Sequence, residues 1–141
     1  MKKKVYIAGP LFNQHERQYL EDMANHLESN GLECFLPHRD LKGVDESELK
    51  TTEMSQETKD KIFSIDLNAL KNADITVALI TGWDIDSGTS AEIGYTYARN
   101  KPIIAVDASE RRFRNLFVEG MIYKKVHNIG QIITAIKDAT S

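Results

Sequence analysis

Two carboxylates, Asp86 and Glu92, bracket a Ser-Gly turn in the stretch Asp86-Ser87-Gly88-Thr89-Ser90-Ala91-Glu92-Ile93-Gly94-Tyr95. The stretch follows an apolar run and opens a helix, a placement suited to glycosyl chemistry. An ionised carboxylate beside a sugar C1′ acts as a nucleophile or as an electrostatic partner for an oxocarbenium-like transition state. Glu92 falls in the first turns of that helix, near the positive end of the dipole, which favours its ionised form. Asp86 could bind or protonate a leaving base, since a carboxyl group both donates to and accepts from a base edge. General-acid help of that kind is worth on the order of 10² to 10⁴ in rate. The plainer alternatives are an ordinary first-turn glutamate and an Asx-turn aspartate supporting Ser87-Gly88. For Asp86 the spacing leaves both readings open; for Glu92 the glycine turn and the second carboxylate favour chemistry.

Other candidates are weaker alone. Asp66 lies between apolar Ile65 and Leu67 in a helical stretch, where a solvated face is the simple reading and approach to the site the other. Tyr6 lies inside an apolar strand, and its hydroxyl would need a buried partner such as a catalytic carboxylate. Gly9-Pro10-Leu11-Phe12 could cradle a phosphate at the next helix N-terminus, although it matches neither GxGxxG nor a Walker motif. His15, His26, His38 and His127 lack metal-ligand spacing, and no Ser or Cys sits in a nucleophile elbow. Arg111, Arg112 and Arg114 could hold a phosphate, with a solvated loop the plainer alternative.

The elements that must position these groups alternate. Val5 to Ala8, Glu33 to Leu36, Ile75 to Ile80, Pro102 to Val106 and a short stretch around Val126 read as strands. Helices are expected from an Asn13 cap to about Asn30 with Gly31 after it, from Gln56 to Asn72, through Glu92 to near Asn100, and from Ile129 to Ala139. Asn115 to Tyr123 is a further helical candidate, and residues 38 to 54 read as a long surface loop. Strands alternating with helices give a single doubly wound, flavodoxin-like or Rossmann-like domain over residues 1–141, with a five-stranded parallel sheet in order 2-1-3-4-5. Ligands bind such sheets at the topological switch, where the loops after Ala8 and Ile80 emerge.

Composition narrows the partners. With 41% hydrophobic and 28% charged residues the chain of 141 residues reads as globular, and its net charge of -3 gives no case for nucleic acid or an anionic membrane. No apolar stretch approaches the roughly 20 residues that span a bilayer. Lys2-Lys3-Lys4 looks like a signal-peptide start, but Gly9-Pro10 breaks the apolar run after it. Cys34 is the only cysteine, which suits a cytoplasmic location.

In sequence order, Tyr6-Ile7-Ala8-Gly9-Pro10-Leu11-Phe12, Asp66-Leu67-Asn68-Ala69-Leu70 with Ala73-Asp74, Asp86-Ser87-Gly88-Thr89 with Glu92-Ile93-Gly94-Tyr95, Lys101-Pro102-Ile103 and Asn115-Leu116-Phe117 resemble the nucleoside 2-deoxyribosyltransferase family. The resemblance implies that Glu92 attacks C1′ to form a covalent 2-deoxyribosyl intermediate, that Tyr6 orients it, and that Asp86 and Asp66 handle the departing and incoming base. It implies substrate contacts at Gly9, Phe12, Gly88, Asn115 and Phe117, with no metal or organic cofactor. Asn115 would reach the sugar in a neighbouring subunit's site, in a homo-oligomer built from dimers, up to a hexamer. The substrates would be 2′-deoxynucleosides and free nucleobases. Where transferring members often carry Met, this chain has Phe117, an apolar-for-apolar change.

Three other functions compete. A hydrolase of the same superfamily would cleave a 2′-deoxynucleoside 5′-monophosphate, with Thr89, Ser90 and the arginines as phosphate donors. A phosphoacceptor receiver domain needs acidic residues where strand 1 ends in Gly9-Pro10. A phosphoribohydrolase-like protein needs a doubled glycine where Asp86-Ser87 stands.

Overall fold

The computed structural model describes residues 2–41, 53–107 and 113–141. Residues 42–52 of the expected loop, and Arg111 and Arg112, lie outside them. The strands are β1 (Lys4–Ala8), β2 (Glu33–Phe35), β3 (Ile75–Leu79), β4 (Ile103–Val106) and β5 (Lys124–Val126), all parallel in the order β2-β1-β3-β4-β5. The helices are α1 (Gln14–Ser29), α2 (Gln56–Asn72), α3 (Ser87–Ala98), α4 (Leu116–Glu119) and α5 (Ile132–Ala139), the last preceded by a 3₁₀ turn over Ile129–Gln131. The expected α/β fold class and strand order are those observed.

Alternation along the strands divides the core. Val5, Ile7, Val77, Leu79, Ile104 and Val106 pack against Leu20, Met23, Ala24 and Leu27 of α1 and Ile132, Ala135 and Ile136 of α5. Tyr6, Ala8, Ala78, Ile80, Ile103 and Ala105 face the other way, towards Leu70 of α2 and Ile93 of α3. Burial on both faces explains why the strands read as unbroken apolar runs. Fully burying each Val, Leu, Ile or Met among them is worth about 1.5–3 kcal/mol.

Local chemistry sets the boundaries. Asn13 caps α1 by accepting from Glu16 N at 2.8 Å. Gly31, at φ 87°, closes it: its N–H reaches Glu28 O at 3.1 Å and Leu32 N reaches Leu27 O at 3.2 Å, the paired bonds of a Schellman end. β2 stops at Phe35, one residue earlier than expected, because Leu36 N donates to Asp40 Oδ2 at 2.9 Å and Leu36 O accepts from Arg39 N and Asp40 N. The helix expected over Asn115 to Tyr123 is a single turn, α4. Among the described residues no helix is long and apolar enough to cross a membrane.

Candidate active site

β1 is flanked by β2 on one side and β3 on the other, so the chain leaves β1 towards α1 and leaves β3 towards α3 on opposite faces. A cavity of about 760 Å³ opens at that divergence, within the usual range for a small-molecule site. Its lining brings together Tyr6 of β1, Gly9 and Phe12 of the following loop, Asp66 of α2, Asp86, and Gly88 and Glu92 of α3. Seven sequence-predicted residues from four segments thus share one wall. Asn115 and Phe117 are exposed and do not line it.

Tyr6 is fully buried, and its hydroxyl donates to Glu92 Oε2. The Phe35 ring, its register partner on β2, stacks on the Tyr6 ring with centroids 5.6 Å apart. Behind Glu92, Thr96 donates to the Glu92 carbonyl at 2.8 Å and shares a 2.8 Å hydrogen bond with Thr76 of β3. Thr76 and Thr96 are 0% and 3% exposed, so a satisfied polar pair fixes the turn of α3 that carries Glu92 to the sheet. Sequence reasoning missed this clasp; its signal was a threonine inside the otherwise apolar Ile75–Leu79 run.

The expected help of the helix dipole does not decide the charge of Glu92. Asp86 is the N-cap, which places Glu92 beyond the first turn, where the dipole has faded. Burial instead pushes its pKa up from 4.5 to about 7; the Tyr6 hydrogen bond opposes the rise, and the charges of Asp66 and Asp86 add to it. Burial likewise raises Asp66 from 3.8 to about 6. Its Oδ1 is buried without a hydrogen-bond partner among the described residues, and of the two readings of this helix face the one that turns Asp66 into the cavity is observed. Such an oxygen is costly to bury unpaired and is an acceptor open to a donor that enters the cavity. The same desolvation, with the Glu92 charge beside it, raises the Tyr6 hydroxyl and keeps it a donor.

Asp86 does two things at once. One oxygen, Oδ2, accepts from Thr89 N at 3.1 Å and Thr89 Oγ1 at 2.9 Å, capping α3, while the residue also lines the cavity. Ser87-Gly88 is the first helical turn, not a flexible loop. A Cβ on Gly88 would meet only Asp86 Oδ2, at 3.5 Å, so the glycine chiefly leaves the cavity open beside Asp86. Gly9 is needed for packing: a Cβ there would lie 2.8 Å from Leu20 Cδ2 and 3.2 Å from Leu79 Cβ.

The phosphate-cradle readings fare differently. Phe12 N donates to Glu16 Oε1 at 3.2 Å, so a carboxylate already occupies the α1 N-terminus. Arg114, expected on a solvated loop, is 3% exposed and pairs with Asp107 at 3.0 Å, a correction that follows from the charge partner at the end of β4. Phe63 lines the cavity although it is 65% exposed. It lies one helical turn before Asp66, a spacing that puts both on one face of α2.

The model of the nucleoside 2-deoxyribosyltransferase family matches residues 5–133. A 2-deoxyribosyltransferase from Bacillus psychrosaccharolyticus superposes with a TM-score of 0.75 at 27% identity, over 92% of this chain and 89% of that one. A conserved protein from Enterococcus faecalis V583 gives 0.80 at 23% identity over 98% and 99% of the two chains, and the CMP N-glycosidase of Clostridium botulinum 0.61 at 20% over 96% and 99%. These last two show the shared fold. A comparison with curated protein sequences finds no match. The matched span contains all five strands but for Lys4 at the start of β1 and every cavity residue named above, and the chain belongs to the nucleoside 2-deoxyribosyltransferase family.

Proposed function

We propose that the protein transfers a 2-deoxyribosyl group between nucleobases through a covalent intermediate on Glu92. The observation that carries this reading is the buried Tyr6 hydroxyl donating to Glu92 in a cavity that Asp66 and Asp86 also line. Tyr6 holds one oxygen of the carboxylate in place. The other attacks C1′ as the C1′–N bond breaks, its electron pair leaving with the base. Asp66, raised to about 6 and so protonated in a minority of molecules at neutral pH, delivers a proton to that base together with Asp86. An incoming base then attacks C1′, gives its N–H proton back to the carboxylate that supplied the first, and releases the Glu92 carboxylate, with retained configuration and ping-pong kinetics. A 2-deoxy sugar lacks the electron-withdrawing hydroxyl and reaches the oxocarbenium state more easily.

Free nucleosides fit the cavity better than nucleotides. The described lining residues include Asp66, Asp86 and Glu92 and no Lys, Arg or His. Thr89 is committed to Asp86, Ser90 Oγ reaches Ile85 O at 3.4 Å, and Arg114 is paired with Asp107. In this reading Asn115 and Phe117, which are exposed outside the cavity, serve a neighbouring subunit's site in a homo-oligomer. The Asn115 Oδ1 caps α4, and its Nδ2 has no partner among the described residues. The N-glycosidase neighbour supports a second reading, hydrolysis of a nucleoside 5′-monophosphate.

The test incubates the protein with deoxyinosine or thymidine plus adenine or cytosine and follows new nucleosides. Product should require the acceptor base, and Glu92→Ala should abolish it. Full-rate base release without an acceptor, or from the 5′-monophosphate in preference, would overturn the transferase reading.

A further inference from the structure

The loop over residues 81–86 ends in Asp86, and the segment over 113–119 carries Asn115 and Phe117. One side-chain oxygen bonds to a backbone amide of each. Asp84 Oδ1 accepts from Ile85 N, next to Asp86, at 2.8 Å and from Asn115 N at 2.9 Å. Arg114 braces the same junction from the interior. Its Nε donates to Gly82 O at 3.3 Å and its Nη1 to Asp107 Oδ2 at 3.0 Å, at the end of β4. The Arg114 amide donates to Glu119, whose other oxygen holds Lys125 Nζ of β5 at 2.6 Å. α4 is a single turn, and so short a helix has no stability of its own. Its place is set by these bonds.

We propose that Asp84, braced by Arg114, is a positioning residue that locks the Asp86 loop and the Asn115–Phe117 segment into one unit. Each subunit then presents Asp86 to its own cavity and Asn115 to its neighbour's in a fixed relation. The inference rests on the reading of Asn115 as serving a neighbouring site. Asp84 does not line its own chain's cavity, yet its loss displaces groups on both sides of the junction. Misplacing a positioned group by about 1 Å costs up to about 10² in rate.

Subunit mixing tests it. Glu92→Ala subunits, dead in their own site, are reassembled with Asn115→Ala subunits, and transfer is measured. Regained activity is expected, because intact Asn115 on one subunit completes intact Glu92 on the other. Adding Asp84→Ala to the Glu92→Ala subunit should lower the regained activity at least about tenfold, whereas adding Asp84→Asn, which keeps an oxygen acceptor at both amides, should restore it to within about threefold. Asp84→Ser, too short to bridge both amides, substitutes should the alanine variant melt early. If the Asp84→Ala carrier complements as well as its parent, the inference falls and the shared-site reading stands. If the unmodified pair regains nothing, the shared-site reading fails and takes this inference with it.

Discussion

Arg114 and Asp107 are buried as an ion pair 3.0 Å apart, whereas Asp66 and Glu92 are drawn out of water with no cation among the described residues that line their cavity. Both regions lie at the carboxyl ends of the sheet, and both withdraw charge from solvent. At the end of β4 the charge is answered inside the chain, by Arg114 for Asp107 and by Lys125 for Glu119, which holds the Glu119 carboxyl below the usual range despite its burial. In the cavity it is left unanswered, and both carboxyls move up. A satisfied cluster fixes backbone; an unsatisfied one awaits a ligand. The two regions should therefore respond oppositely to the loss of one member.

Removing the Glu92 carboxylate gives the largest effect. Glu92→Ala should lower transfer by on the order of 10³-fold or more, as loss of a nucleophile does elsewhere, while thermal stability holds or rises because a poorly solvated acid is gone. A melting temperature that dropped together with activity would erase the contrast. On the other side, Asp107→Ala leaves Arg114 buried without that partner, and breaking a buried pair costs about 3–5 kcal/mol. Chemical denaturation should show that loss in full. A change below about 1 kcal/mol would mean that the pair is not what holds the segment.

Tyr6→Phe sharpens the comparison inside the cavity. The ring stays stacked on Phe35, so the core is kept and only the donor to Glu92 goes. A hydrogen bond to a charged group is worth about 1.5–3 kcal/mol, or roughly 10- to 150-fold in rate if Glu92 needs it to react. Because this bond lowers the Glu92 pKa, its loss should also move the acid limb of the rate profile to higher pH. A rate loss with an unmoved limb would assign Tyr6 to packing alone.

The sequence made the positions of these groups more legible than their charge states. Apolar runs and cap residues place the strands, α1 and α3, since each is a local property of a few adjacent side chains. Tyr6, Asp66, Asp86 and Glu92 followed from strand–helix junctions and from the family resemblance. The burial of Arg114 did not, because it depends on Asp107 and on the Gly82 carbonyl, which lies 32 positions away in sequence. Nor did the pairing of Thr76 with Thr96, which exists only once α3 is laid on β3. The dipole argument for Glu92 failed for the same reason: a local feature of the helix was outweighed by tertiary burial. Nor does the apolar type of Phe63 show that it is exposed, since its side of α2 is largely half-exposed and Phe63, Leu67 and Leu70 line the cavity.

The smallest effect is the most direct measure of unanswered charge. Glu92 and Asp66 titrate at about 7 and about 6 in the folded protein, against ordinary values of 4.5 and 3.8. From pH about 4 to about 7 the folded state therefore binds more protons than the unfolded chain, so these groups' contribution to stability is present at the acid end and is lost as pH rises. Activity should run the other way: in the proposed mechanism Glu92 must be ionised to attack C1′, so kcat/KM should fall as pH drops through about 7. Glu92→Gln removes one titration and keeps the shape. The difference in melting temperature between parent and variant, in which the remaining carboxylates cancel, should favour the variant more at pH 8 than at pH 4. A flat difference would show that Glu92 is as well solvated in the folded chain as in the unfolded one, and the cavity would then carry no unanswered charge at Glu92.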